Sequence, residues 1–155
     1  MLSKYFEVQR KCQAEIDEIC SSESVSFEDL SNLRYIEAVC KETLRFYPLA
    51  TQANSRHCMK TTEVCGMEIE KGTFVQADTL SVHFDESIWG SDVDEFKPER
   101  WLDAGPRVPP VAYLAFGAGP RVCIGLRLAL LEMKMALIHI LRKYDIVKGT
   151  EAGGS

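Results

Sequence analysis

Hydrophobic residues recur at helical spacing in three segments of the chain. In residues 4–20, apolar side chains follow one another at steps of three and four with charged residues between them, which predicts an amphipathic helix. Residues 31–46 keep the same period, and either Ser31 or Asn32 would serve as the N-cap of this second helix. Residues 124–143 are apolar on most of the helical circumference, so the pattern predicts a buried final helix.

Between the second and the final helix the pattern changes to that of strands and coil. Residues 52–82 contain short β-like pieces separated by turn signals at Gly66 and Gly72, which predict a small antiparallel sheet. Residues 85–115 mix prolines with charged and aromatic residues, which is typical of a long irregular segment, and residues 149–155 read as a flexible tail. The predicted fold class is therefore mainly α with a small antiparallel β region, that is, α+β.

The composition is that of one soluble globular domain, which we place at residues 1–148. The chain has 155 residues, of which 46% are hydrophobic and 26% are charged, so it has enough apolar residues to build a core. The formal net charge is −5 with lysine and arginine spread along the chain, which argues against a nucleic-acid partner. The first dozen residues are polar and charged, and this pattern is that of neither a signal peptide nor a membrane anchor.

The six cysteines do not form a metal or redox motif by their spacing. No two of them make a C-x-x-C pair, which argues against a zinc ribbon or a thioredoxin-like site. Without a secretory signal or a compact cysteine pattern, a reducing compartment is the better interpretation. Five of the six are interpreted as small buried hydrophobes: Cys12, Cys20, Cys40, Cys58 and Cys65.

The sixth cysteine, Cys123, lies in the glycine-rich stretch FGAGPRVCIG, residues 116–125, directly before the final helix. Free backbone N–H groups and the helix dipole at such a position stabilise a thiolate. Gly119 permits a backbone angle closed to other residues, and Gly125 has no side chain to keep the backbone away from a large flat ligand. Taken alone, the pattern is also that of a buried cysteine beside a helix cap.

Two other residues of this stretch can act around the cysteine. Arg121 can pair with an anionic group of whatever lies over the loop. Phe116 can shield the sulfur and lower the local dielectric. The full string F-x-x-G-x-R-x-C-x-G fixes the residue at five positions with set spacing, which makes the functional interpretation of Cys123 stronger than a lone cysteine would allow.

Two further motifs lie upstream. Glu42 and Arg45 stand three residues apart in KETLR, on one face of the second helix, which is also the pattern of an ordinary solvent-exposed helix pair. The segment FKPERW contains Arg100 and lies within the irregular segment. Neither motif is decisive alone, but both precede the cysteine loop in a fixed order.

The three motifs together resemble the C-terminal, haem-binding portion of the cytochrome P450 superfamily, and the chain looks closest in texture to its microsomal members. The resemblance implies that Cys123 is the axial thiolate of a haem iron, with Phe116, Gly119, Arg121 and Gly125 around it. It also implies that Glu42, Arg45 and Arg100 form a structural triad that locks the irregular segment against the second helix. We expect the triad to be structural and assign no residue a catalytic role.

Weaker correspondences follow from the same resemblance. Arg56 corresponds to the family arginine that pairs with a haem propionate, and residues 49–54 lie where family members line the substrate pocket. His83 and Trp89 fit the family's H-x-D-x-x-x-W run. Ala129 and Glu132 fit its A-x-x-E on the final helix. His57 and His139 have no ligand context and are interpreted as ordinary half-buried residues.

The resemblance implies a haem-thiolate monooxygenase that inserts one oxygen atom from O2 into a small apolar organic substrate. It implies haem b as cofactor, a flavoprotein reductase as electron donor and the endoplasmic reticulum membrane as the family's location. The family's distal oxygen-activating helix has no counterpart in the sequence, so a truncated isoform or fragment is expected, cytosolic by itself. The alternative function is a catalytically inactive piece that at most binds haem weakly or interacts with a full-length relative or reductase.

Overall fold

The computed structural model describes residues 1–102 and 108–149, which form two compact units. The first unit contains residues Met1–Thr43, 96–102 and 124–149. The second contains residues Leu44–Glu95 and 108–123. Part of the predicted irregular segment, residues 103–107, lies outside the described residues, as does the predicted tail from residue 150 onward.

The described residues are mainly helical, as the sequence predicts. The α-helices are α1 (Phe6–Ile19), α2 (Phe27–Asn32), α3 (Arg34–Phe46), α4 (Thr79–His83), α5 (Glu86–Trp89) and α6 (Leu126–Leu141). None of them is long and apolar enough to cross a membrane.

Helix α3 begins later than the sequence predicts. Ser31 and Asn32, expected as its N-cap, lie inside α2, because Ser26 and Asp29 form a capping box that starts this short helix upstream. The cap of α3 instead comes from α1. The carboxylate of Glu15 accepts the backbone N–H groups of the second and third α3 residues at 2.7 and 2.9 Å, which satisfies two donors that have no partner within the helix.

Helix α6 packs one face against α1 and α2. The buried residues of this face are Leu130, Lys134, Ile138 and Leu141. The prediction of a buried final helix does not hold for all of its apolar surface, since Leu128 remains 61% exposed and Ile140 41% exposed. Helices that pack on one side cover only a stripe of the surface of α6. An apolar circumference therefore does not by itself show that the whole helix is buried.

The buried face of α6 includes a lysine that is paired. The ammonium group of Lys134 donates to the carbonyl oxygen of Leu30 at 2.9 Å and lies 2.6 Å from the carboxylate of Glu37 on α3. Lys134 is only 3% exposed. A charge at this depth is tolerated because both contacts replace its water shell.

The second unit contains two small antiparallel sheets. In the first, β1 (Ser55–His57) pairs with β4 (Phe74–Gln76), and in the second, β2 (Thr62–Val64) pairs with β3 (Met67–Ile69). The turn between β2 and β3 is the two-residue turn of Cys65 and Gly66, with φ angles of +52° and +78°. Two successive left-handed residues match the right-handed twist of a tight hairpin.

The predicted sheet over 52–82 is too long at both ends. Residues Thr51–Asn54 form a 3₁₀ turn, so the first three residues of the predicted sheet, 52–54, are not in a strand. Residues Thr79–His83 form α4, because Asp78 caps this segment by accepting the backbone N–H of Ser81 at 3.1 Å. Side-chain capping by an aspartate overrides the β-like composition there.

In the described parts of the segment 85–115, residues 85–102 and 108–115, the chain is irregular but contains short ordered turns. Asp85 caps the four-residue helix α5 by accepting the backbone N–H of Ser87. Two 3₁₀ turns lie at Pro98–Trp101 and Pro110–Ala112, and each begins with a proline. Proline suits the first position of such a turn because it fixes φ and its missing N–H is not needed there.

Candidate functional site

The loop that carries Cys123 is closed by its own backbone. Gly117 and Gly119 have φ angles of +74° and +71°, in the left-handed region that glycine enters without strain. A 3₁₀ turn spans Gly119–Arg121, and the backbone N–H of Cys123 donates to the carbonyl oxygen of Phe116 at 2.9 Å. One hydrogen bond therefore ties the first residue of the loop to the cysteine.

The thiol of Cys123 lies at the surface and is not in a disulfide. Its neighbours in the chain are apolar and exposed, with Val122 47% and Ile124 104% exposed. Cys123 is therefore flanked along the chain by two exposed apolar residues.

The other cysteines differ from Cys123 in their surroundings. Burial raises the pKa of the Cys12 and Cys40 thiols to about 12, so both stay protonated. Cys20 is also buried and Cys58 is half-buried. Cys65 is exposed at the β2–β3 turn, so its interpretation as a buried residue is wrong: a two-residue turn projects it from the hairpin.

The carboxylate of Glu42 and the guanidinium of Arg100 form a buried ion pair in the first unit. Arg100 Nε donates to Glu42 Oε1 at 2.9 Å, with the two side chains 1% and 0% exposed. The same carboxylate accepts the Lys97 backbone N–H at 3.1 Å and the Trp101 indole N–H at 2.8 Å. Helix α3 is thus fixed to the 3₁₀ turn that follows Lys97.

Arg45 lies one turn after Glu42 on α3 and belongs to the second unit. Its guanidinium donates to the carbonyl oxygens of His83 and Val93, each at 2.8 Å, and to that of Glu95 at 3.4 Å. The Phe46, Phe84 and Trp89 ring centroids lie 4.5 to 5.4 Å from its central carbon. Arg45 thus organises the chain between α4 and residue 95.

The motif resemblance is supported by a comparison with known families. A sequence model named cytochrome P450 matches residues 1–152. The chain belongs to the cytochrome P450 family. Its fold is mainly α with small antiparallel sheets, as a C-terminal part of that family's fold is expected to be.

Three Caenorhabditis elegans proteins are similar to this chain. They bear the names cytochrome P450 CYP13A10, CYP13A3 and CYP13A5, and the chain is 52%, 52% and 48% identical to them. The alignments cover 97%, 94% and 97% of this chain. The chain spans only 30%, 28% and 29% of the length of these cytochromes P450.

Three further residues correspond to haem-contacting positions in the cytochrome P450 resemblance: Arg56, Arg121 and Gly125. Arg56 on β1 is exposed, and its guanidinium donates to the carbonyl oxygen of Ser55 at 2.6 Å. Arg121 is exposed on the loop. Gly125 precedes α6 with a φ of −86°, which any residue can adopt, so its predicted role depends only on the missing side chain.

Sequence reasoning missed several residues around this cytochrome P450 loop and ion pair. The Lys97 backbone and the Trp101 indole lie within FKPERW, but the motif does not reveal that both donate to Glu42. Asn54 carries no motif signal, yet its side-chain oxygen lies where a Cβ on Gly117 would approach to 3.0 Å. Within residues 1–102 and 108–149, no group of three or more His, Cys, Asp or Glu side chains is placed to hold a metal ion.

Alanine at Gly117 is expected to destabilise the loop by about 1 to 2 kcal/mol, because a Cβ there adds left-handed strain and crowds Asn54. Gly119→Ala is the matched control, since its φ is equally positive but an added Cβ meets nothing within 4 Å. Urea denaturation of both variants measures the difference. Equal losses for the two variants would show that the contact with Asn54 contributes nothing.

Proposed function

We propose that this cytochrome P450 chain binds haem b and that the Cys123 thiolate would be a ligand of the haem iron. The observation that carries the proposal is the geometry of the loop. Cys123 follows two glycines with left-handed φ angles and its thiol is exposed. The backbone N–H of Cys123 donates to the carbonyl oxygen of Phe116. A thiolate is a ligand suited to haem iron.

The residues around Cys123 fit a haem group in their chemistry. The exposed apolar side chains of Val122 and Ile124 suit an apolar macrocycle. Arg56 and Arg121 are exposed cations and can bind the carboxylates of its propionates. Gly125 offers a backbone without a side chain where a flat group has to approach closely. These residues would bind and orient the cofactor, and Phe116 would exclude water from the sulfur.

We propose a monooxygenase activity. It belongs either to this chain or to a longer protein that contains it. One atom of O2 enters a carbon–hydrogen bond of a small apolar organic substrate, and the other leaves as water with two protons and two electrons. A flavoprotein reductase supplies the electrons. Haem, when bound, supplies the oxygen activation. We assign no proton-transfer step to a described side chain, and Glu42, Arg45 and Arg100 act structurally.

The Cys123→Ser variant tests the ligation. The 155-residue chain is loaded with haem, reduced and exposed to carbon monoxide, and the Soret band is recorded. We expect the strongly red-shifted band of a thiolate complex in the wild type and its loss in Cys123→Ser. Cys65→Ser is the matched control, because it also removes an exposed thiol from the second unit, and it should retain the band.

Two results would contradict this assignment. If wild type and Cys123→Ser give the same spectrum, Cys123 is not the ligand. If Cys65→Ser loses the band as well, loss of the band in Cys123→Ser is not specific and Cys123 is not identified as the ligand. Oxygen consumption and product formation with a flavoprotein reductase then test the monooxygenase step. A thiolate spectrum without turnover would support haem binding and refute catalysis by this chain.

A further inference from the structure

We propose that Asn54 and His83 are positioning residues for Cys123, and that they act by holding the backbone of Leu114 from both sides. This inference rests on the proposed ligand role of Cys123. All of the residues concerned belong to the second unit. Each residue has a hydrogen bond to Leu114 and would act through the turn that leads from Leu114 into the loop.

The side chains of His83 and Asn54 both form hydrogen bonds with the backbone of Leu114. The backbone N–H of Leu114 donates to His83 Nε2 at 2.8 Å. Its carbonyl oxygen accepts Asn54 Nδ2 at 3.1 Å and the Gly117 backbone N–H at 3.0 Å. Two side chains from separate parts of the chain thus fix the first residue of the turn that ends at Gly117.

The contacts of His83 define its tautomer. His83 is 0% exposed, and its Nδ1 lies 3.0 Å from the carbonyl oxygen of Arg45, which can only accept a hydrogen bond. Nδ1 therefore carries the proton, and Nε2 keeps the lone pair that the Leu114 N–H requires. The ring is stacked on Tyr113 with centroids 5.7 Å apart, which limits its rotation.

Asn54 is oriented by further contacts at both its amide and its backbone. Its Nδ2 also donates to Thr79 Oγ1 at 3.0 Å, and its carbonyl oxygen accepts the Ala77 backbone N–H at 3.1 Å. Its Oδ1 lies where a Cβ on Gly117 would approach to 3.0 Å. The Asn54 side chain therefore bridges α4 and the 114–117 turn, and Gly117 leaves it the space to do so.

The turn transmits this restraint to the cysteine. Phe116 lies inside the 114–117 turn, and its carbonyl oxygen accepts the Cys123 backbone N–H at 2.9 Å. If the turn opens, this acceptor moves and the cysteine loses its backbone restraint. A metal ligand functions well only when surrounding groups hold its orientation, and here Asn54 and His83 supply that support through Leu114.

The wild-type chain provides the first test. In uniformly ¹⁵N-labelled, haem-free protein, a scalar coupling across the hydrogen bond should join the Leu114 amide nitrogen to His83 Nε2. The Leu114 amide should also exchange slowly with solvent. Absence of the coupling together with fast exchange at Leu114 would overturn the proposal without any variant.

Two substitutions at His83 separate the two ends of its ring. His83→Asn keeps an amide donor near the Arg45 carbonyl but removes the acceptor for Leu114. His83→Gln extends an amide oxygen towards Leu114 and can restore that acceptor. We expect Cys123 amide exchange to accelerate about tenfold or more in His83→Asn, and less in His83→Gln. Equal acceleration in both variants would refute a role through Leu114.

Asn54→Asp tests the second contact, since it keeps the shape but replaces the donor by an acceptor facing the Leu114 carbonyl. It should also accelerate exchange at Cys123 by about tenfold or more. Gln52→Asp adds the same charge at an exposed position of the same 3₁₀ turn and should leave the rate unchanged. Amides of the β2–β3 hairpin report that each variant is folded.

The haem-loaded proteins separate this inference from the proposed function. We expect the thiolate band of the reduced carbon monoxide complex to weaken in His83→Asn and Asn54→Asp and to persist in Gln52→Asp. A wild-type protein without that band would refute the proposed function, while the exchange data would still decide the holding of Leu114. A normal wild-type band that both variants retain, with unchanged Cys123 exchange, would refute the positioning role alone.

Discussion

The Glu42→Ala variant is expected to lose about 3 to 5 kcal/mol of unfolding free energy, because it leaves the buried guanidinium of Arg100 without its carboxylate. The carboxylate of Glu42 is 0% exposed and accepts hydrogen bonds from Lys97, Arg100 and Trp101. Removing it therefore takes the carboxylate acceptor away from one buried charge and from two neutral donors. A buried donor without a partner costs more than an ordinary hydrogen bond contributes.

Urea denaturation measures this loss, and the indole N–H resonance of Trp101 locates it. The chain has two tryptophans, and only Trp101 donates to Glu42, so its indole signal should shift while that of Trp89 stays. Glu63→Ala, on the exposed β2 strand, is the control and should change stability by no more than about 0.5 kcal/mol. A loss below about 1 kcal/mol for Glu42→Ala would contradict the assignment of a buried ion pair.

The neutral isostere separates the charge from the shape. Glu42→Gln fills the same space but replaces one carboxylate oxygen by an NH2 group, which cannot accept from Trp101 or Arg100. We therefore expect a large loss from Glu42→Gln as well. If Gln restored wild-type stability, packing and not the carboxylate would hold α3 against the 3₁₀ turn.

The sequence predicts the parts of this molecule that depend on neighbours along the chain. The period of apolar residues locates α1, α3 and α6 to within a few residues of their observed bounds. The string from Phe116 to Gly125 identifies the cysteine loop, and the left-handed φ of Gly119 is the one expected there. These signals are local, so one chain suffices to read them.

The parts that the sequence does not reveal depend on residues far apart in the chain. Glu15 caps α3 from another helix, and the Lys97 amide reaches Glu42 across 55 positions. Neither contact leaves a spacing pattern. The prediction that α6 is buried fails on its exposed face for the same reason. Hydropathy shows which residues a helix could bury, but it does not show which elements pack against them. The fold class was therefore predictable, and the contact between Glu42 and Arg100 was implied by the resemblance. The capping by Glu15 and the hydrogen bond from the Lys97 amide were not predictable.

At the start of α4, two local signals in the sequence compete: a composition that favours a strand and a capping aspartate that favours a helix. Residues Thr79–His83 are rich in residues that favour strands, and the sequence predicts strand there. Asp78 is followed by Ser81 three residues later, and the aspartate accepts both the backbone N–H and the hydroxyl of that serine. The capping pattern decides the conformation, because it satisfies helical donors that a strand would leave to other partners.

The second large effect is expected at Arg45, where Arg45→Lys should cost about 2 to 4 kcal/mol of unfolding free energy. The guanidinium is planar and donates in fixed directions to the carbonyl oxygens of His83, Val93 and Glu95. A single ammonium cannot span all three carbonyls. It also loses the flat surface that Arg45 presents to three aromatic rings.

The indole N–H of Trp89 reports this change, because Trp89 packs near Arg45 and donates to the carbonyl oxygen of Val82 at 2.8 Å. Its resonance should shift in Arg45→Lys, and the urea midpoint should fall. Arg127→Lys, at an exposed position of α6, makes the same exchange and should alter stability by no more than about 0.5 kcal/mol. If Arg45→Lys were as stable as the wild type, charge alone would hold these carbonyls, and the planar donor geometry assigned to Arg45 would be wrong.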